Sequence, residues 1–88
     1  MNEEHRDTVT VTFNGSDREV GYQPHATVQA LLQHAKQAFG LEGAPNQHLL
    51  GLFTEAGVEL NDQLSAQDAG IKPGELLVLR PSTVRGGA

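Results

Sequence analysis

Glu75-Leu76-Leu77-Val78-Leu79-Arg80-Pro81 sets four aliphatic residues in a row between two charged ones and closes on a proline. Side chains of a strand alternate between its faces, so a run with no polar alternate is apolar on both. Such a strand, Glu75 to Arg80, belongs in the middle of a sheet or keeps one face for a partner. Pro81 ends it, because proline has no N–H to give to a ladder. Beyond it lie Ser82-Thr83-Val84-Arg85-Gly86-Gly87-Ala88, with Val84 the one apolar residue of any size. Residues 81–88 cannot build a core and are expected as a flexible arm, spanning roughly 20–25 Å from Pro81 to Gly87 when extended.

The chain ahead of this strand supplies its neighbours. Thr8-Val9-Thr10-Val11-Thr12-Phe13 alternates strictly, with Val9, Val11 and Phe13 on one face, the mark of a half-buried strand. Asn14-Gly15-Ser16-Asp17 brings turn chemistry, and a return strand runs from Arg18 to Tyr22. A four-residue loop would set Val11 opposite Val20 and Val9 opposite Tyr22. That register is preferred to a two-residue Asn-Gly turn, which puts Val11 opposite Arg18. Thr27 then reads as a helix N-cap. Val28, Leu31, Leu32, Ala35, Ala38 and Phe39 form an i, i+3, i+4, i+7 stripe, with Gln29, Gln33, Lys36 and Gln37 opposite. Gly40 suits the left-handed position that closes the helix, and Leu41 can fold back on the stripe. A third strand is expected over 48–53, a short fourth over 58–60, and one helical turn over 64–70.

Eighty-eight residues make one domain. The expected organisation is a polar, disordered lead over 1–7, the domain over 8–80, and the tail over 81–88. The chain has no Cys, which excludes disulfides, thiolate metal sites and a Cys nucleophile within it. His5, His25, His34 and His48 are scattered, so no metal site is expected, and no cofactor. The net charge is −5, and Arg6, Arg18, Lys36, Lys72, Arg80 and Arg85 form no cluster. Nucleic acid is therefore not an expected partner, since its affinity comes mainly from cations that neutralise phosphates. The polar, acidic N-terminus is unlike a signal peptide and no apolar run approaches a membrane span. A cytoplasmic monomer is the expectation.

A hairpin, one helix, a third strand, a short fourth with a helical turn, and a last strand running into Gly-Gly is the order of the β-grasp fold. The chain resembles ubiquitin and its relatives. Leu77-Val78-Leu79-Arg80 is similar to the end of the family's last strand, and Arg85-Gly86-Gly87 to its terminal Arg-Gly-Gly. Leu52-Phe53, Leu60, Leu64-Ser65 and Ile71 fall in order along the family's second half. The resemblance covers residues 8 to 87 and is specific mainly at the tail. It departs in a longer turn after Phe53, one residue added before Ile71, the link Pro81-Ser82-Thr83-Val84, and the presence of only Lys36 and Lys72. In these respects it looks most like the diverged ubiquitin-like proteins of bacterial conjugation operons, which are associated with antiphage defence. The implied fold class is α+β, a mixed sheet of four to five strands packed on one α-helix.

The resemblance implies a protein modifier that catalyses nothing. An ATP-dependent activating enzyme adenylates the C-terminal carboxylate, a cysteine takes it as a thioester, and a conjugating enzyme delivers it to a target protein's amine. Gly86 and Gly87 would be the conjugated end, because glycine lacks Cβ and lets the backbone pass a narrow channel. Ala88 implies a precursor cut between Gly87 and Ala88 by a processing or deconjugating peptidase. Arg80 and Arg85 would be read by the activating enzyme through charge-assisted hydrogen bonds. If chains form through lysine, Lys36 and Lys72 would be the acceptors. Leu52, Leu76 and Val78 would form a partner surface, with Phe53, Leu77 and Leu79 inward; a one-residue shift of register exchanges the two sets. Two other functions stay open: a sulfur carrier bearing a C-terminal thiocarboxylate, and a non-conjugated β-grasp interaction module for which the tail is dispensable.

Overall fold

The computed structural model describes residues 7–83. Strand β1, Asp7–Phe13, begins one residue ahead of the expected domain start and buries Val9 and Val11. Strand β2, Ser16–Tyr22, returns beside it and buries Val20 and Tyr22. The turn is the two-residue Asn14-Gly15, and the register is Val9 opposite Val20 and Val11 opposite Arg18, not the four-residue loop expected. The reason is local. Asn14 (φ 52°) and Gly15 (φ 81°) both take positive φ, the two-residue turn whose twist matches a hairpin. The two registers differ by two residues, so the same side chains face the core in either. Arg18, opposite Val11, is not wasted there: its guanidinium lies 5.3 Å over the Phe39 ring, which meets Phe13 edge-on at 5.5 Å.

Helix α1, Val28–Ala38, follows. Its first N–H groups, which no helical carbonyl can satisfy, find partners: Val28 donates to Leu64 O, Gln29 to Asp62 O, and Ala30 to the Thr27 hydroxyl. At the far end Gly40 (φ 67°) turns the chain, with Gly40 N–H on Gln37 O and Leu41 N–H on Lys36 O. That paired closure is the glycine-terminated motif expected from the sequence, and Leu41 packs back on the core. The stripe Val28, Leu31, Leu32 and Ala35 is fully enclosed.

Strand β3, Leu50–Thr54, and strand β4, Leu76–Pro81, complete a four-stranded mixed sheet in the order β2-β1-β4-β3. β4 runs parallel to β1 and antiparallel to β3, in the interior position that its doubly apolar sequence requires. Residues 48 and 49, expected in the third strand, belong to a 3₁₀ turn over Gln47–Leu49, entered through Asn46 at φ 65°. Residues 58–60 make no strand of their own. They meet β3 through the single bridge Phe53–Glu59, with Thr54 N–H on Val58 O and Leu60 N–H on Leu52 O. The stretch over 64–70 is the expected single turn: Ala69 N–H donates to Ser65 O, and Gly70 closes it at φ 84°. The inner face of the sheet and α1 enclose one core, to which Leu60, Ala66 and Ile71 add from the long loop.

Candidate functional site

The end of β4 and the outer face of the sheet meet at one place. Across the β3–β4 pair, Leu52 stands opposite Leu79 on the inner face, and Phe53 stands opposite Val78 on the outer. Gly51 is opposite Arg80 and offers no side chain there. The Arg80 guanidinium therefore leans across the diagonal and sits 4.8 Å over the Phe53 ring. Glu59 pairs with Phe53 across the bridge and so shares its face.

From this face the chain heads toward its C-terminus. Ser82 is buried, and its N–H donates to Leu49 O at 2.7 Å. Its hydroxyl donates to one Glu59 oxygen. Thr83 donates twice to the other, from N–H at 3.0 Å and from its hydroxyl at 2.8 Å. The expectation of a free arm from Pro81 is thereby corrected at its root. Pro81 pairs with Leu50 as the last residue of β4, and Ser82 and Thr83 are held against the domain. A carboxylate accepting three charge-assisted hydrogen bonds outweighs the freedom that two small polar residues would otherwise keep.

The expected site residues fall into three groups. Arg80 is exposed at the head of the tail, and Leu76 and Val78 lie half-buried on the outer face of β4. Two expectations are corrected. Leu52 is wholly enclosed in the core, and Phe53 takes its place on the outer face; β3 has the other of the two registers left open. Lys36, read as part of the polar side of α1, is only 4% exposed. It stands one turn beyond Leu32, hence on the edge of the apolar stripe. Lys72 is exposed in the turn before β4. Arg85, Gly86, Gly87 and Ala88 lie outside the described residues.

Sequence reasoning missed Phe53, Glu59, Ser82 and Thr83. Phe53 was retrievable from a correct register. Nothing in the sequence marks Glu59 as a partner for residues more than twenty positions away, because the contact depends on how the loop after β3 returns.

Elsewhere on the surface, α1 and the free edge of β2 flank a groove of about 960 Å³ lined by Asp7, Glu19, Tyr22, Ala30 and His34, among others. Burial, and then the carboxylates of Asp7 and Glu75, push the Tyr22 phenol above its ordinary value of 10.0. Among the described residues, no three His, Asp or Glu side chains are grouped to hold a metal ion. No described helix is long and apolar enough to cross a membrane.

No protein-family model matches the chain, and no curated protein matches it in sequence. Solved structures do resemble it. ATBAG1, in its crystal structure in complex with HSP70, aligns over 92% of this chain with a TM-score of 0.72 at 15% identity. The present chain spans 43% of that one's length. A protein designed de novo on ubiquitin aligns over 94% of this chain and 96% of its own, with a TM-score of 0.70 at 23% identity. The ubiquitin of Caldiarchaeum subterraneum aligns over 93% of this chain and 100% of its own, with a TM-score of 0.67 at 24% identity. The mixed four-stranded sheet on one helix is a ubiquitin-like β-grasp.

Proposed function

We propose that this ubiquitin-like β-grasp domain is a protein modifier, attached to targets through Gly87. The observation that carries the reading is one of position. β4, the strand locked between β1 and β3, leads through a root fixed by Glu59 directly into Arg85-Gly86-Gly87. A free carboxylate is a poor acyl donor, so the C-terminus has to be activated. In the proposed route its oxygen attacks the α-phosphate of ATP and pyrophosphate leaves. A thiolate of the activating enzyme then displaces AMP, and the thioester passes by way of a conjugating enzyme to a target amine, with the thiol as leaving group. A peptidase that cuts after Gly87 frees the carboxylate from whatever follows, here Ala88. The chain itself catalyses nothing in this scheme. It supplies a recognisable body, with Arg80 and Arg85 for the activating enzyme and Phe53, Leu76 and Val78 as the apolar face for partners. Of the two lysines, Lys72 is the accessible acceptor for chains. The reading extends to the bacterial conjugation operons that the sequence resembles, and it places the protein in the cytoplasm.

The test is the intact mass of N-terminally tagged protein recovered from its native host. The reading predicts a species ending at Gly87, together with a fraction covalently joined to other proteins. A single species retaining everything after Gly87, with no adducts, would contradict it. The likeness to ATBAG1, a larger chain crystallised with HSP70, favours a second reading, a non-conjugated interaction module. For that module, removing Gly86 and Gly87 would change nothing.

A further inference from the structure

We infer that Glu59 is a positioning residue for the C-terminal tail, a clasp that fixes where the tail leaves the domain and how far its end can reach. The inference rests on the modifier reading for its purpose, but on geometry for its existence. Glu59 sits on the short segment bridged to β3, far in sequence from the tail, and its two carboxylate oxygens divide the work. One takes the Ser82 hydroxyl, and the other takes both the N–H and the hydroxyl of Thr83. A fourth hydrogen bond, Ser82 N–H to Leu49 O, pins Ser82 from the other side. Ser82 is consequently buried although nothing apolar recommends it. The tail root is thus tied at consecutive residues to two different segments, which defines a point of departure and a direction as well.

The clasp also sets a length. With Thr83 held, four residues separate the body from the end of Gly87, a reach of about 13–14 Å at full extension. With the Glu59 contacts released, Ser82 keeps its N–H bond to Leu49 O, so the stretch no longer held starts after Ser82, and five residues reach about 16–18 Å at full extension. An enzyme that accepts the carboxylate while gripping the outer face selects one of these lengths. A closed clasp sets the shorter limit before the enzyme arrives, so less ordering is left to the encounter. Glu59 offers both oxygens to one residue pair, so its neutral isostere can keep part of the contact: glutamine retains an acceptor for Thr83 and offers an amide to the Ser82 oxygen. Alanine keeps nothing.

The experiment compares full-length Glu59→Ala, Glu59→Gln and the double variant Ser82→Ala/Thr83→Val by amide hydrogen exchange, thermal melting, and covalent adducts formed in the native host. The exchange arm judges the clasp irrespective of any enzyme. The Thr83 amide should exchange at least tenfold faster in Glu59→Ala while the amides of β1 and β4 keep their protection. Unchanged exchange at Thr83 would overturn the inference. The adduct arm judges the purpose. At equal protein level, Glu59→Ala and the double variant should lose roughly threefold to tenfold of their adduct signal, the cost of a binding-competent state populated only fractionally. Glu59→Gln should recover most of it. Full adduct levels in Glu59→Ala with a freed Thr83 amide would overturn the positioning role. A parental chain that forms no adducts, beside Glu59-dependent protection of Thr83, would sink the modifier reading and with it the positioning role, while leaving the clasp itself established. The double variant separates the tail's contacts from any part that Glu59 plays in the fold.

Discussion

Leu52 and Phe53 are consecutive and almost equally enclosed, at 0% and 2% exposure, yet different things enclose them. Leu52 belongs to the buried aliphatic core and stands opposite Leu79 of β4. Phe53 points to the outer face and stands apart from that cluster, beneath the guanidinium of Arg80 and beside the bridge to Glu59. Side chains of a core interlock and none can leave without opening a void. A cation resting on a ring can swing away and be rehydrated. Low exposure therefore means permanence at one residue and a removable cover at the next. In the modifier reading, the apolar face proposed for partners extends beyond the half-buried Leu76 and Val78 to Phe53, which lies under Arg80.

Substitution should separate the two residues plainly. Leu52→Ala leaves a cavity at the centre of the core and should cost about 2–5 kcal/mol. In a domain of this size each kcal/mol corresponds to roughly 4–8 °C of melting temperature, so a thermal melt measures it directly. Phe53→Ala should cost less, about 1–2 kcal/mol, because Arg80 can settle into the vacated space. Equal losses for the two would erase the distinction. Arg80→Ala removes only the cover and should cost about 0.5–1 kcal/mol. It should also raise binding of a hydrophobic dye to the outer face, whereas Leu52→Ala matched for folded fraction should not.

The smallest effect concerns the inner face at its β2 edge. Folding raises the Tyr22 phenol above its ordinary value of 10.0, chiefly through burial. The folded state therefore holds that proton more tightly than the unfolded chain does. Its contribution to stability is complete below pH 10 and declines as the pH climbs through the raised folded value. Melting temperature followed upward from pH 9 should fall less steeply in Tyr22→Phe than in the parent chain. Identical slopes would mean that the phenol titrates as it does in the unfolded state.

Much of this was legible in the residues. The doubly apolar run Leu76–Leu79 located the interior strand, and the Thr–Val alternation gave β1 its inner face. Thr27, Gly40 and Leu41 marked both ends of α1, because caps are local chemistry written at fixed offsets. What escaped was set by competition between local rules or by distance. The hairpin register turned on Asn14-Gly15 outweighing a better-looking match of aliphatics, a conflict that Arg18 resolves by stacking on Phe39. Lys36 has the chemistry of a surface residue and the position of a core one. The faces of Leu52 and Phe53 depend on a register that a run of apolar residues leaves unstated. The site was half visible. Arg80, exposed near the end of β4, was marked in the sequence, but the Glu59 contact joins segments that meet only after folding.

The modifier reading requires a folded body that does not need residues 86–88 for its stability, and an end, Gly86-Gly87, that other proteins use. The direct measurement pairs the tagged parent chain with one lacking residues 86–88, reading melting temperature on purified protein and denaturant-resistant adducts in the native host. That reading predicts melting temperatures within about 1 °C, since Gly86, Gly87 and Ala88 carry no side chain larger than a methyl group to contribute to a core, and adducts in the parent alone. Adducts that persist without Gly86 and Gly87, or a collapse of thermal stability on losing them, would contradict it.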